Sequence, residues 1–227
     1  MGAVRLQVRQ VDTGYHANVE PPAFDLSARW VELQSAIYAR LSPFKLTLSD
    51  IKVESSSANP ADMSIVSWIL SYAALVRFRL DKVEVWSNSI RLAANSALVT
   101  DVAEQAVEIL HAASPEARIA NHSLTVALHG EPQGRAPNEF LGDFLKATPP
   151  GTPELRPSGV SFVGELPTKA GAGSIVLERS GQVSEGIFLR ISSEHAGSLT
   201  TREALGQGIE FFEGSVERLG FEVDWGQ

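Results

Sequence analysis

The chain of 227 residues is long enough for one large domain or two small ones, at roughly 100 to 200 residues per domain. Its composition, 44% hydrophobic and 20% charged, is that of an ordinary globular protein and excludes an intrinsically disordered chain and a polytopic membrane protein. The net charge of −8 and the scatter of the 19 basic residues argue against a nucleic-acid or membrane partner, since both need a basic face.

The first predicted elements are a strand and a helix. Polar and apolar residues alternate from Val4 to Val11, which is the period of a strand, and a turn is predicted at 12–14 before the strand resumes. Apolar side chains then recur every three or four positions over 26–41. This spacing predicts an amphipathic helix that is capped by Asp25 and ended by Pro43.

The next stretch is predicted to be mainly strand. Alternation predicts strands over 45–54, 65–79 and 83–86. The apolar segment 63–75 also fits a buried helix, because periodicity cannot separate the two structures in a short apolar run. Both interpretations of this segment remain open.

A second helix is predicted over 98–112. Its apolar stripe includes Leu98, Val102 and Leu110. Asp101 and Glu104 are expected in its first turn, where the helix dipole favours carboxylates.

The second half of the sequence repeats this order of elements. Its last helix has the clearest signal, because Thr200 and Glu203 form a capping box and Gly220 is a natural stop. A two-residue turn at Ser180-Gly181 predicts a hairpin. The predicted elements are strand 122–128, helix 138–147, strand 160–166, strands 174–179 and 182–192, and helix 200–219.

The two series predict an α+β fold of two similar β-α-β-β-β-α halves, with mainly antiparallel sheet and helices packed on one face. The halves are residues 1–115 and 116–227, and we expect them to form one compact body. The proline-rich segment 148–159 interrupts the second half, so it is predicted to be a long surface loop rather than a linker, with a proline-rich docking peptide as the alternative.

The absence of cysteine excludes disulfides, thiolate metal sites and a cysteine nucleophile. The N-terminal residues lack the apolar core of a signal peptide, and the longest apolar stretch, 63–76, is too short for a transmembrane helix, which needs about 20 residues. We therefore expect a cytoplasmic protein.

Five histidines are the main candidates for metal binding: His16, His111, His122, His129 and His195. His122 and His129 are an odd number of residues apart on one predicted strand and should point to opposite faces. His129, Glu131, Glu194 and His195 could supply a two-carboxylate, two-histidine set, but they lack the close spacing of known metal motifs. The prediction is no metal site.

No recognisable motif assigns a catalytic residue or a cofactor. Ser42-Pro43-Phe44-Lys45 matches the S-x-x-K string but follows a helix end, whereas that motif needs serine at a helix start. Gly171-Ala172-Gly173-Ser174 leads into a strand, whereas a phosphate-binding loop leads into a helix. Catalytic residues therefore stay unassigned, and no cofactor is expected.

Without such motifs, the sequence favours a non-enzymatic interaction or adaptor protein. A protein partner is expected, and self-association is one form that this could take. The alternative is an enzyme or small-ligand-binding protein with a pocket between the two halves. Five aromatic residues are predicted to lie mainly in the core, with a binding groove as the alternative: Trp30, Trp68, Tyr72, Phe78 and Trp86.

The last predicted helix contains three interior glycines, which are costly in a helix. Gly208 lies one turn from Leu205 and Phe212 and should border the buried stripe. We expect a close approach of the helix at Gly208 and none at Gly206 and Gly214.

Overall fold

The computed structural model describes residues 3–56, 59–144, 159–165 and 171–226. No helix in these ranges is long and apolar enough to cross a membrane. The strands are β1 Val4–Val19, β2 Ile51–Ser56, β3 Asn59–Ile69, β4 Ala74–Arg79, β5 Lys82–Ser87, β6 Ile119–Pro132, β7 Gly159–Glu165, β8 Gly171–Arg179, β9 Ile187–Ala196 and β10 Phe221–Asp224. The helices are α1 Trp30–Leu41, α2 Ile90–Ala93, α3 Ser96–Ala113, α4 Pro137–Phe144 and α5 Thr201–Arg218.

All ten strands belong to one sheet with the order β2-β3-β4-β5-β1-β6-β9-β8-β7. Every pair along this path is antiparallel, and β10 pairs in parallel with the start of β1. The long strands β1 and β6 lie side by side at the centre. The sheet edges are β2 and β7, so both halves contribute to one continuous surface.

The predicted α+β class and the two similar halves are confirmed. In each half a central strand leads to a helix, then to a meander that returns beside the central strand, and then to a long helix. The first half has one strand more than predicted, because residues 65–79 contain the end of β3, a tight hairpin and β4. Segment 63–75 is therefore strand and hairpin, and the helical alternative is wrong.

The helices cover one face of the sheet, and the core lies between them and the strands. Along the centre of β1 the residues of this face are Val11, Thr13, Tyr15 and Ala17, all of which are buried. The apolar stripe of α5 packs against the helix-covered face of β6 and β9. Leu205 and Phe212 of that stripe belong to the same continuous core.

The start of β1 departs from the predicted alternation. The strand runs through the predicted turn at 12–14 without interruption, so that turn is wrong. A register shift between Val8 and Gln10 inserts one extra residue against β6. This β-bulge lets both Val8 and Val11 face the core, although their spacing is odd.

Two elements of the first half begin later than predicted. Residues 24–28 form a 3-10 turn, and α1 begins at Trp30. Asp25 does not cap α1, because Arg29 occupies the N-cap position of that helix; the Asp25 carboxylate accepts a hydrogen bond from the Ser114 hydroxyl instead. The predicted strand 45–54 begins only at Ile51, because Thr47 and Asp50 close a capping box around a short 3-10 turn.

Helix α3 begins at Ser96, earlier than predicted, and Asn95 is its N-cap. Asp101 and Glu104 therefore lie beyond the first turn, and both pair with Arg202 of α5 instead of the helix dipole.

In the second half, β9 begins at Ile187, so a seven-residue loop replaces the predicted two-residue turn at Ser180-Gly181. The capping box of α5 and its stop at Gly220 are as predicted, and Gly220 has a φ of 79°. The short strand β10 that follows was not predicted. Residues 148–158 of the predicted loop 148–159 lie outside the described residues, and Gly159 begins β7.

Candidate functional site

The sheet face opposite the helices is left uncovered by the described helices. The strand register assigns alternate residues to this open face, since residues paired across antiparallel strands point the same way. His16, for example, is paired with Glu84 on one side and with Ser123 on the other. These side chains belong to strands at the centre of the molecule, so the open face extends over both halves.

An aromatic patch lies at one end of the open face, and we define it as Trp68, Tyr72, Leu75 and Trp86. Trp68 is paired with Leu75, and Leu75 with Trp86, so these three side chains form a row across β3, β4 and β5. Tyr72 projects from the β3–β4 hairpin with 65% of its surface exposed, and its ring lies 6.0 Å from that of Trp68. The continuous core beneath the helices contains none of these four residues.

The hairpin that carries Tyr72 has an unusual backbone. Leu70, Ser71 and Tyr72 have φ values of 53°, 58° and 69°, a left-handed conformation that side chains other than glycine disfavour. The Leu70 N–H donates to the carbonyl oxygen of Phe44 at 2.7 Å, and the Tyr72 hydroxyl donates to Asp50 at 2.7 Å. These contacts hold the aromatic side chain in place at the expense of backbone strain, an arrangement that is frequent at binding sites.

Charged residues of the open face neutralise one another beside this patch. Arg77 lies 3.7 Å from Glu54 and 3.5 Å from Glu84, and Lys82 lies 2.6 Å from Glu84. The pKa of the Glu84 carboxyl is lowered: burial alone would raise it, but Lys82, His16 and Arg77 beside it together outweigh that effect. This part of the face therefore presents aromatic rings beside ion pairs.

The sequence-predicted aromatic set is divided by the fold. Phe78 is fully buried in the core, and Trp30 packs at its margin, so only two of the five residues follow the prediction that most of the set is core. Trp68, Tyr72 and Trp86 lie instead on the open face or its hairpin. The groove alternative therefore describes these three residues better.

A network of buried polar side chains lies under the first half of α5. The Tyr15 hydroxyl is 2.8 Å from His122 Nδ1, and His122 Nε2 is 3.0 Å from the carbonyl oxygen of Leu199. A carbonyl oxygen only accepts, so Nε2 carries the proton and Nδ1 accepts from Tyr15. His195 is paired with His122 across β6 and β9 and is equally buried.

We expect acid to destabilise the fold through these histidines. Burial lowers the pKa of both His122 and His195, and for His122 the neighbouring His195 lowers it further. The unfolded chain, whose histidines have a pKa near 6.5, then binds protons more readily than the folded chain. The stabilising contribution is therefore complete above about pH 6.5 and is lost as the pH falls through the lowered folded pKa values.

Urea unfolding at pH 7.5, 6.5 and 5.5 measures this effect. The free energy of unfolding should fall below pH 6.5, by at most about 1.4 kcal/mol per pH unit for each histidine, and His122→Gln and His195→Gln should each reduce that slope. An unchanged slope in both variants would contradict the assignment.

The structure does not bring together the four side chains that the sequence offered as metal ligands, His129, Glu131, Glu194 and His195. His122 faces the helices and His129 the open face, as their spacing predicts. Glu194 and His195 point to opposite faces, and Glu131 pairs with Arg9 at 2.8 Å. Within the described part of the chain, no three histidine or carboxylate side chains form a group that could hold a metal ion.

The two short motifs noted in the sequence, at residues 42–45 and 171–174, also have structural roles. Ser42-Pro43-Phe44 forms a 3-10 turn after α1, and Lys45 follows with a left-handed φ of 64°. Strand β8 begins at Gly171, earlier than the predicted strand 174–179, so these glycines belong to a strand and do not lead into a helix. Gly173 lets the ring of Phe211 in α5 approach the strand, because a Cβ there would lie 2.4 Å from that ring.

A cavity of about 270 Å³ lies on the helix face, where the two halves meet. Its walls are mainly apolar and come from α5, the α2–α3 region, the central strands and the C-terminal segment. Glu213, Glu217 and Trp225 are also part of its lining. The alternative interpretation of the sequence placed a pocket between the two halves. Sequence reasoning could not name its residues, because they come from six elements that are far apart along the chain.

A wider depression of about 580 Å³ lies at the other end of α5, beside the C-terminal half of α3. It is lined by charged groups of both signs, including Glu104, Glu108 and Arg118, and by the buried His122. His122 is already bound to Tyr15 and Leu199, so both of its ring nitrogens are occupied within the protein.

Comparison with known proteins gives only a distant structural similarity. No protein-family model matches the chain, and no curated protein matches it. Among solved structures, the TBP of Methanococcus jannaschii is similar over 95% of this chain and 99% of its own, with 14% sequence identity and a TM-score of 0.29. At this identity and TM-score the likeness carries no inference about what the chain binds.

Proposed function

We propose that this chain is a non-enzymatic interaction protein of the cytoplasm that binds a protein partner through the aromatic patch on the open face. The observation that carries the proposal is the row Trp68, Leu75 and Trp86 on a sheet face without helices, with Tyr72 held beside it by a strained hairpin. Tryptophan and tyrosine dominate the binding energy of protein interfaces, because they bury a large area at a small cost in side-chain entropy.

The charges around the patch favour a protein over a nucleic acid. A phosphate backbone requires unpaired basic side chains, whereas Arg77 and Lys82 are engaged by Glu54 and Glu84. The partner that fits has an apolar contact surface bordered by charges of both signs, which can exchange ion pairs with this rim. The absence of cysteine is compatible with a reducing cytoplasm.

The experiment is capture of the partner from a lysate of the native source, with the chain as bait and mass spectrometry as the readout. A Trp68→Ser/Tyr72→Ser variant should lose the partner captured by the parent chain. In a titration with the purified partner, the same variant should bind about 30-fold more weakly, the effect of losing a 2 kcal/mol hot spot.

A matched control is available on the helix side. Val31 and Tyr38 lie on α1 with 74% and 41% exposure, so Val31→Ser/Tyr38→Ser removes exposed apolar surface away from the patch. This variant should capture the partner as the parent does. The proposal is rejected if the patch variant still captures the partner, or if both variants lose it equally. If the chain self-associates and only the patch variant fails to do so, the partner is a second copy of the chain.

A further inference from the structure

We infer that the cavity where the halves meet is a binding site for a small molecule with an apolar body and a cationic head group, such as an arylalkylamine. This site is separate from the open face and lies on the opposite side of the sheet. The inference does not depend on the protein partner proposed above.

The walls of the cavity select the apolar body. Ile209, Phe212 and Val216 of α5 form one side, and Leu124 and Val126 of β6 form the floor. An apolar cavity of about 150 Å³ holds a single benzene ring, so about 270 Å³ accommodates a ring with a short chain. Such a ligand displaces water that the apolar walls bind poorly.

The charges of the lining select the head group. Glu213 and Glu217 are its ionisable side chains, and both are exposed, whereas the lining contains no lysine, arginine or histidine. Trp225 completes this side, with its ring 6.3 Å from that of Phe212. A cation could contact the face of an indole ring and two carboxylates there, which is an established combination for ammonium groups.

Two helix ends near the cavity have opposite effects on its preference for a cation. The C-terminal turn of α5 bears Glu217 and adds partial negative charge, which favours a cation. The first residue of α3, Ser96, lies in the cavity lining with the partial positive charge of a helix start. Each helix end amounts to roughly half a charge, so two full carboxylate charges decide the balance.

The floor also contains a polar group without an internal partner. Thr13 lines the cavity with only 7% of its surface exposed, and its hydroxyl has no hydrogen-bond partner among the described residues. Buried hydroxyl groups are normally paired, and an unpaired one calls for an explanation. A hydroxyl or amide group on a bound molecule could satisfy it after rotation of the threonine side chain.

The test uses three probes of equal shape and different charge: 4-phenylbutylamine, 4-phenylbutan-1-ol and 4-phenylbutyrate. Isothermal titration at pH 7.5 and low salt should give the order amine, alcohol, carboxylate, with about 10-fold between amine and carboxylate. Salt should weaken amine binding and leave alcohol binding unchanged, because exposed charges are screened.

Variants locate the binding and the charge preference. Glu213→Gln/Glu217→Gln should remove the advantage of the amine and retain alcohol binding, whereas Glu210→Gln, an exposed neighbour on α5 outside the lining, should bind as the parent does. Ala94→Trp at the rim and Ile209→Trp in the wall should both reduce binding of all three probes at least 10-fold, with thermal unfolding as the check on folding.

The outcomes separate the parts of the inference. Amine preference that disappears only in the double glutamine variant supports it in full. Equal affinity for all three probes overturns the cationic specificity and leaves an apolar site. Absence of binding by every probe at millimolar concentration, or binding that survives both tryptophan variants in folded protein, overturns the site itself; none of these results affects the open-face proposal.

Discussion

Gly197→Ala is expected to lower the free energy of unfolding by about 3 kcal/mol, the upper end for overpacking substitutions. A Cβ at this position would lie 2.0 Å from the carbonyl oxygen of Ile119 and 2.6 Å from that of Ala120. Both obstacles are backbone atoms of β6, so no side-chain rotation can relieve the clash. The existing hydrogen bond from the Gly197 N–H to the Ala120 oxygen would have to lengthen.

The consequence should extend into α5, which begins only four residues later at Thr201. Chemical denaturation of the variant beside Gly181→Ala measures the effect, because a Cβ at Gly181 meets nothing within 4 Å. The control should remain within about 0.5 kcal/mol of the parent chain, as surface substitutions usually do. If Gly197→Ala were equally mild, β6 and the end of β9 could not approach as closely as the structure indicates.

Local signals allowed the sequence to predict α5 almost to the residue. Its start depends on hydrogen bonds between Thr200 and Glu203, and its end on the positive φ of Gly220. Both features involve neighbours in the chain, so the residue types alone determine them. The α+β class could be predicted for the same reason, since the alternation of strands and the apolar stripes of helices are also patterns among residues close together in the sequence.

The path of β1 and the β3–β4 hairpin could not be predicted from local patterns. The bulge between Val8 and Gln10 is visible only against the partner strand β6. The hairpin at Leu70, Ser71 and Tyr72 contains no glycine, asparagine or aspartate, the residues that favour its left-handed backbone. Contacts with Phe44 and Asp50 stabilise it, and these lie more than 20 residues earlier.

The candidate sites depend on still longer-range information. The row of Trp68, Leu75 and Trp86 exists because the registers of two ladders coincide, so composition could suggest a groove but could not select its members. The cavity needs α5, β6 and the C-terminal strand together. A search of the sequence for motifs finds neither, because neither contains residues at a fixed spacing.

Gly208→Leu is expected to destabilise the chain by about 1–3 kcal/mol through overpacking. Sequence periodicity predicted a close approach at this position, and the structure confirms it. A Cβ on Gly208 would lie 2.9 Å from Leu124 Cδ2 and 3.0 Å from the Ser193 hydroxyl oxygen. The contact is between α5 and its own sheet, so the loss should appear in the stability of a single chain.

Gly214 provides the matched control on the same helix, since a Cβ there meets nothing within 4 Å. Gly214→Ala should be neutral or stabilising by up to about 1 kcal/mol, because alanine restricts the unfolded chain and favours helix. The urea midpoint and the molecular mass of both variants should be measured. If helix propensity alone determined stability, both substitutions would be stabilising, so a loss of stability in Gly208→Leu only is the effect of packing. A Gly208→Leu chain as stable as the parent would mean that α5 can lift from β6 and β9 at little cost, and that the close packing of the helix on the sheet contributes little to stability.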